Sequence, residues 1–505
     1  MESSALPQPV GGVQVEDKGL KKNAITFASN VVIGVASTAP GYSLAATLGF
    51  IAAVGGLGLQ SPAAILVAFF PMACIAAAYY YMNRADPDCG TTFSWMTRAL
   101  GPWFGWQGGW AIVVADVLVM PSLASVAGNY TFQLFGNTSP STFWVTVVGI
   151  AWIILMTWIC YRGVELSART QRYLLGMEFV TLMIFAVVAL ATVYINHPKH
   201  SVQPALSWFN PFDISSLSAL NGGILLAVFI YWGWDSGVTV NEETEDSSTA
   251  PGRAAVVSTF ILVGIYLLVA TAAQAYGGID SLVNNQSDVF APLGKSVLGS
   301  PFDKLLIIAI LTSASASTQT TILPTARTTL SMARAGAIPS AFGRIHSRFL
   351  SPSYSTLWMG AASTVVFVFL SATSTNLIAD AFTSLALTIA FYYGFTGFAC
   401  VVYYRRHLLD SAKNFFFIGV LPFLGGAILT FVLVKAVVDY SKPHAGYAKP
   451  FLGIGSPIVI ALVMIILGLV LMIAQRLSNP EFFKRRLEVV DPSVLAASPA
   501  GGHAS

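Results

Sequence analysis

Twelve stretches of roughly twenty mostly apolar residues dominate this chain, near 26–54, 62–82, 104–134, 142–162, 170–196, 217–240, 255–277, 303–335, 354–373, 377–404, 415–439 and 453–476. Each is long enough to carry a helix across about 30 Å of hydrocarbon. Runs of this length satisfy their backbone in lipid as helices, since no water is there to bond a free N–H or C=O. Composition agrees: 55% of the 505 residues are apolar and 10% are charged, where soluble domains run near about 25% charged. A net charge of +3 with no clustered basic face excludes a nucleic-acid binder. Cys74, Cys89, Cys160 and Cys400 follow no CxxC or ligand-like spacing and read as unpaired thiols. The polar residues 1–25 precede an apolar run too long for a signal peptide, so that tail is expected to be retained.

Lys and Arg concentrate in cytosolic loops of membrane proteins. With residue 1 in the cytosol and twelve crossings, 20 of the 26 Lys and Arg fall on the cytosolic side. Only Lys199, Lys295, Lys304, Lys435, Lys442 and Lys449 fall on the other. A span miscounted in mid-chain would spoil this alternation. The count therefore argues for twelve spans and for two cytosolic termini.

Two runs contain residues that interrupt a helix at mid-membrane depth. The first carries Gly34, Ser37, Thr38, Ala39, Pro40 and Gly41, and Pro40 removes a helix hydrogen bond. The sixth carries Gly233, Trp234, Asp235 and Gly237 after Phe229. Interruptions five spans apart are the mark of an inverted repeat, whose broken helices offer free backbone groups to a ligand. The plainer reading is a proline kink and a glycine-mediated helix contact.

Carboxylates inside apolar runs are costly to bury and point to function. Asp116 lies in the third run, Glu178 in the fifth and Asp235 in the sixth, and no Lys or Arg stands deep enough to pair with them. They are protonated, hold a cation or face water, which leads to proton relay or cation recognition. For Asp235 the competing reading is a cap on the second half of a broken helix. Asp380 stands at the start of its run, where solvation is expected to satisfy it. The eighth run bears Thr312, Ser313, Ser315, Ser317, Thr318, Thr320 and Thr321, with Ser313 and Ser317 on one face. Such hydroxyls either bond neighbouring backbone or line a polar, ion-binding path. No metalloprotease, nucleophile-elbow, Walker or dinucleotide motif occurs, so no enzyme activity, metal or cofactor is expected. The six histidines are scattered, and His346 is expected on a solvated surface.

Four stretches resemble the amino acid–polyamine–organocation permease family, together spanning about residues 20–480. The first is Pro87, Asp88, Cys89, Gly90 through Arg98, Ala99, Leu100, Gly101 to Gly109 and Trp110. The second is Asn241 to Asp246 and on to Pro251, Gly252, Arg253 and Ala254. The third and most specific is Arg327 through Ser331, Met332, Ala333, Arg334, Ala335, Gly336 to Pro339, Phe342 and His346, and the fourth is Gly233, Trp234, Asp235. Asp116 with Leu118 and Pro121 is similar to putrescine importers within that family.

The resemblance implies an all-α integral membrane fold of twelve transmembrane helices with a LeuT-like 5+5 inverted repeat. Residues 1–25 would be a cytosolic tail, 26–196 the first repeat, 217–404 the second, 415–476 helices 11 and 12, and 477–505 a second cytosolic tail. Helices 1 and 6 would unwind around the substrate, with helices 3, 8 and 10 completing the site. It assigns substrate contacts to Ser37, Thr38, Ala39, Gly41, Asp116, Phe229 as an aromatic gate, Gly233, Trp234 and Asp235. Ion or proton coupling falls to Glu178, Ser313 and Ser317. Many members carry a lysine in the fifth span where alignment on Gln171 puts Glu178 here, and the first-span loop lacks the usual Gly-Ser-Gly. The first departure suggests a protonatable group or a real cation site at Glu178, and the second leans towards an amine over a simple α-amino acid. The expected protein is a secondary active transporter of amino acids or polyamine-type amines in the cell membrane, a monomer or homodimer coupled to H+ or Na+. A K+-type carrier of the same fold and a non-transporting sensor are the alternatives.

Overall fold

Most of the expected runs form single helices, because each can satisfy its own backbone in apolar surroundings. The computed structural model describes residues 17–286 and 288–485; most of the two expected tails, residues 1–16 and 486–505, lies outside the described residues. In chain order the first half has α1 (Phe27–Ser37), α2 (Pro40–Ala52), α3 (Ser61–Ala85), α4 (Thr92–Leu100), α5 (Pro102–Leu134), α6 (Thr142–Tyr161) and α7 (Val164–Asn196). There follow α8 (Leu217–Ile230), α9 (Ser236–Thr239), α10 (Ala250–Asn284), α11 (Phe290–Leu298), α12 (Asp303–Arg334), α13 (Ser353–Thr373) and α14 (Thr375–Tyr403). Then α15 (Ala412–Asn414) continues through a π-helical turn into α16 (Leu421–Tyr440), and α17 (Ser456–Ser478) closes the series.

Eleven helical segments among the described residues are long and apolar enough to span a membrane. The remaining expected run, 217–240, is not one helix: α8 has 14 residues, α9 has four, and Tyr231–Asp235 between them is non-helical. Alone, α8 reaches only about 21 Å at 1.5 Å per residue. Burial sorts the segments: the most apolar windows of Phe27–Ala52 and Asp303–Arg334 are 83% buried, against 33% in Ser353–Thr373 and 28% in Ser456–Ser478. The first and eighth runs thus form the centre, and the ninth and twelfth turn most of their surface to lipid. The interrupted first run is thus among the inner ones.

Where charge is buried away from that centre, it is ion-paired or held by hydrogen-bond donors. Arg327, about two turns before the end of α12, grips Glu243 through Nε at 2.6 Å and Nη2 at 3.0 Å, with both side chains almost fully buried. The Lys18 ammonium reaches Asp88 Oδ2 at 3.0 Å and Glu242 Oε1 at 2.6 Å. Gly90 N–H, Ser94 and Ser331 also donate to Asp88. Burial pushes the Asp88 carboxyl up, but the Lys18 ammonium and the Ser331 and Gly90 donors outweigh it and hold it well below the usual carboxylate range. Backbone bonds from Ala24 and Ile25 N–H to the Glu243 carbonyl pin the same segment, so Lys18 to Ile25 is tied to Asp88, Glu242 and Glu243. Asp380, expected to be solvated, is fully buried; it accepts from Tyr447 N–H and Ala448 N–H, each at 2.8 Å, and from Ser456 Oγ at 2.5 Å. The 445–456 loop folds over the helix end and replaces the water. All four cysteines are buried and unpaired.

Removing one partner of a buried ion pair strands the other, at a cost of about 3–5 kcal/mol. Glu243→Gln should therefore lower the melting temperature of the purified protein sharply, and E243Q/R327M should recover much of the loss. Because the native Asp88 carboxyl lies below its unfolded value, its stabilisation is present above that value and is lost as pH falls. The deficit of D88N relative to the natural protein, measured by thermal unfolding, should hold steady from pH 8 to 5 and shrink only below about pH 4.

Candidate functional site

The first break is a two-residue interruption at Thr38 and Ala39. Pro40 supplies no N–H and disfavours the right-handed region for the residue before it, and Ala39 adopts φ 46°, ψ 68°. A left-handed alanine costs about 1–2 kcal/mol, so its surroundings must hold it. They do so by satisfying the freed backbone groups. Gly41 N–H donates to Glu178 Oε1 at 2.7 Å and Tyr42 N–H to Ser313 Oγ at 3.1 Å, while Ser313 Oγ also donates to Glu178 Oε1 at 2.9 Å. Glu178, from α7, thus caps the N-terminus of α2 across the bundle, where the helix dipole favours negative charge. Its second oxygen, Oε2, is buried without a partner. On the α1 side, Ser317 Oγ donates to the Ser37 carbonyl at 3.0 Å, and Ser43 Oγ to the Thr38 carbonyl at 2.6 Å.

The second break is longer. Gly233 sits at φ 117°, and a Cβ there would lie 2.9 Å from the Ser37 carbonyl carbon and oxygen. Only glycine lets the two breaks approach so closely. The Ser37 and Ser236 hydroxyls bond each other at 2.7 Å, and the Tyr266 hydroxyl of α10 donates to the Ile230 carbonyl while lying 3.5 Å from that of Thr38. One tyrosine therefore serves both interruptions. Asp235 stands at the start of α9 but makes no side-chain cap bond. Its Oδ1 accepts from Tyr393 at 2.7 Å and its Oδ2 lies 3.4 Å from the Tyr79 and Tyr392 hydroxyls. Capping alone therefore does not account for Asp235.

Between the breaks lies a cavity. Asp116 and Ile112 of α5 line one side, with Asp116 Oδ2 accepting from Thr325 Oγ1 of α12 at 2.6 Å. Asp235, Ser236, Gly233 and Trp232 come from the second break and Ser37 from the first. Thr321 and Pro324 of α12 and Tyr392 of α14 complete it, and no lining residue is basic. Two buried carboxylates facing one space can neutralise a cation or share a proton.

Of the expected site residues, Ser37, Asp116, Gly233 and Asp235 meet at this cavity. Glu178, Gly41 and Ser313 meet at the α2 cap, and Ser317 joins that region to Ser37. Thr38 donates to the Val35 carbonyl at 2.7 Å, and the Ala39 N–H bonds the Ala36 carbonyl. Trp234 turns away: its ring stacks on Tyr393 with centroids 5.3 Å apart, and Trp232 takes the cavity wall, with its Nε1 donating to Tyr392 at 2.5 Å. Phe229 does not line the cavity and packs on Phe382 with centroids 4.1 Å apart. Sequence reasoning missed Tyr79, Tyr266, Tyr392 and Tyr393, all fully buried. For two of them the signal was the adjacent pair Tyr392–Tyr393 in the tenth run.

Comparison with known proteins identifies the family of the chain. An uncharacterized transporter of Mycobacterium tuberculosis is 27% identical over 339 residues, covering 66% of this chain and 70% of its own length. An arginine/ornithine antiporter of Latilactobacillus sakei is 21% identical over 380 residues, covering 72% of this chain and 77% of its own. The human Asc-type amino acid transporter 1 is 25% identical over 297 residues, covering 57% of this chain and 55% of its own. The model of the family described as amino acid permease matches residues 22–463. With two broken helices meeting at a buried acidic cavity inside an all-helical bundle, the chain belongs to the amino acid permease family and is a multi-span membrane transporter.

Proposed function

We propose that this permease takes up a substrate bearing an ammonium group, a cationic amino acid or a polyamine-type amine, by alternating access coupled to H+. The observation that carries this reading is the pair Asp116 and Asp235 on one cavity with no basic lining residue. A second observation leans towards amines. The amide groups at the start of α2, which could hold a substrate carboxylate, are already taken: the Gly41 N–H binds the Glu178 carboxyl and the Tyr42 N–H binds Ser313 Oγ. An α-amino acid seated there would have to displace them; an amine would not. The antiporter relative named for arginine and ornithine fits the same charge logic.

In this reading the Thr38–Ala39 break and the 231–235 break are equivalent points of two inverted repeats, 26–196 and 217–404, with 415–476 appended. Both termini face the cytosol across the cell membrane. Glu178 is the coupling group: its free Oε2 can take a proton, and Oε1 links it to Gly41 and Ser313, so a change of charge bears directly on the α2 half-helix. Ser317, bonded to Ser37, relays that change to the cavity wall. The buried Lys18 cluster keeps the cytosolic end shut and would have to part for release.

A charge-assisted hydrogen bond is worth about 1.5–3 kcal/mol, which is roughly tenfold to a hundredfold in affinity. In proteoliposomes, D116N and D235N should each reduce uptake of labelled putrescine or arginine by at least roughly tenfold. Neutral amino acids and Rb+ run beside them; if Rb+ alone moves, the substrate reading is wrong. Glu178→Gln should abolish accumulation driven by a pH gradient while counterflow exchange persists. Unchanged accumulation by E178Q would remove Glu178 from coupling.

A further inference from the structure

The arginine-rich face carries a second construction, remote from the cavity. The lipid-facing stripe of α6 runs through Ile154 and Trp158, 61% and 50% exposed, and meets Arg162 just past the helix end. These positions are four residues apart and so share one face. On α7, which runs back into the bilayer, Arg169 precedes Tyr173, Met177 and Val180, which are 71%, 49% and 57% exposed. Tryptophan and tyrosine favour the level of the lipid headgroups. Arg162 and Arg169 therefore stand at headgroup depth.

At that level two guanidinium groups are held by one ring. Arg162 lies 5.0 Å from the Phe349 centroid and 5.2 Å from that of Trp158, and Arg348 lies 5.6 Å from Phe349. The two arginine carbons are therefore no more than about 11 Å apart. His346 fixes the loop: its Nδ1 accepts from Arg348 N–H at 3.1 Å and Phe349 N–H at 3.2 Å, and its ring stacks on Phe349. Ser351 Oγ ties the loop to the Tyr161 carbonyl at 2.8 Å. His346, expected as a solvated surface group, is the organiser of this corner. Both arginines are exposed, and neither has an acidic partner among the described residues; the neighbouring Glu165 is engaged by Lys21 at 2.7 Å.

We propose that Arg162 and Arg348 form a docking site for the phosphate of an anionic phospholipid in this leaflet, its acyl chains lying along the Ile154–Trp158 stripe. Guanidinium groups match phosphate oxygens in charge and geometry. The ring contacts hold them ready without an internal counter-ion, and the apolar stripe below receives what a free phosphate lacks.

The test uses the full chain in detergent. Thermal unfolding is followed with added phosphatidylglycerol, phosphatidylcholine or inorganic phosphate, and retained phosphatidylglycerol is counted by native mass spectrometry. A ligand of the folded state raises the melting temperature. Phosphatidylglycerol should raise it by several degrees where the other two do not. R162Q/R348Q should lose at least half of that shift together with one retained lipid, while the exposed control pair R405Q/R406Q keeps both. A full shift in R162Q/R348Q, or an equal shift with phosphatidylcholine, would overturn the proposal. A shift with inorganic phosphate alone would make this an anion site and overturn the lipid assignment. Should the double variant unfold on purification, R348Q alone carries the same readouts.

Discussion

A peptide group freed from its helix in apolar surroundings must find another partner, and the centre of this protein is arranged around that requirement. Pro40 and the left-handed Ala39 free the start of α2, and the long turn after Ile230 frees the end of α8. The partners come from other helices: Glu178 of α7, Ser313 and Ser317 of α12, Tyr266 of α10. Ser313 and Ser317, anomalous in an apolar run, are groups the broken backbone needs, whereas Ser315 bonds the Leu311 carbonyl of its own helix. The proposed coupling group is also the cap: Glu178 bonds α2 through one oxygen and leaves the other unbonded.

Charge is managed differently at two depths. Near the arginine-rich end, Lys18 with Asp88 and Glu242, and Arg327 with Glu243, offset burial by ion pairing. In the middle, the side-chain donors to Asp116 and Asp235 are hydroxyls, from Thr325 and from Tyr79, Tyr392 and Tyr393. A hydroxyl donor supports a carboxylate without cancelling its charge. The cavity thus keeps an attraction for cations that the paired end has used internally. Glu242 and Glu243 follow Asp235 within eight residues, so the two depths are linked by a short stretch of backbone.

How much could be read in advance depended on the kind of constraint. Mid-membrane carboxylates are rare enough that Asp116, Glu178 and Asp235 stood out as single residues, and all three proved buried. Proline and glycine marked the breaks, because their backbone chemistry acts locally. What failed was direction. Helical periodicity ends at Ile230, so nothing in the sequence says whether Trp232 or Trp234 turns to the cavity, and Trp232 does. Partners distant in the chain were equally hidden: Tyr393 lies 158 residues from Asp235, and the loop satisfying Asp380 lies 67 or more away.

By itself the sequence determined that this chain lives in a bilayer as a bundle of helices, where two of them break, and which acids are out of place among apolar residues. Those properties follow from composition and local backbone chemistry, which each segment carries with it. Tertiary structure alone decided that Glu178 caps α2 while Asp116 and Asp235 share a cavity, that tyrosines from three helices close around one aspartate and two break carbonyls, and that the N-terminal segment is tied to Asp88, Glu242 and Glu243. These depend on the direction and packing of side chains from segments far apart in the chain, which no local pattern encodes.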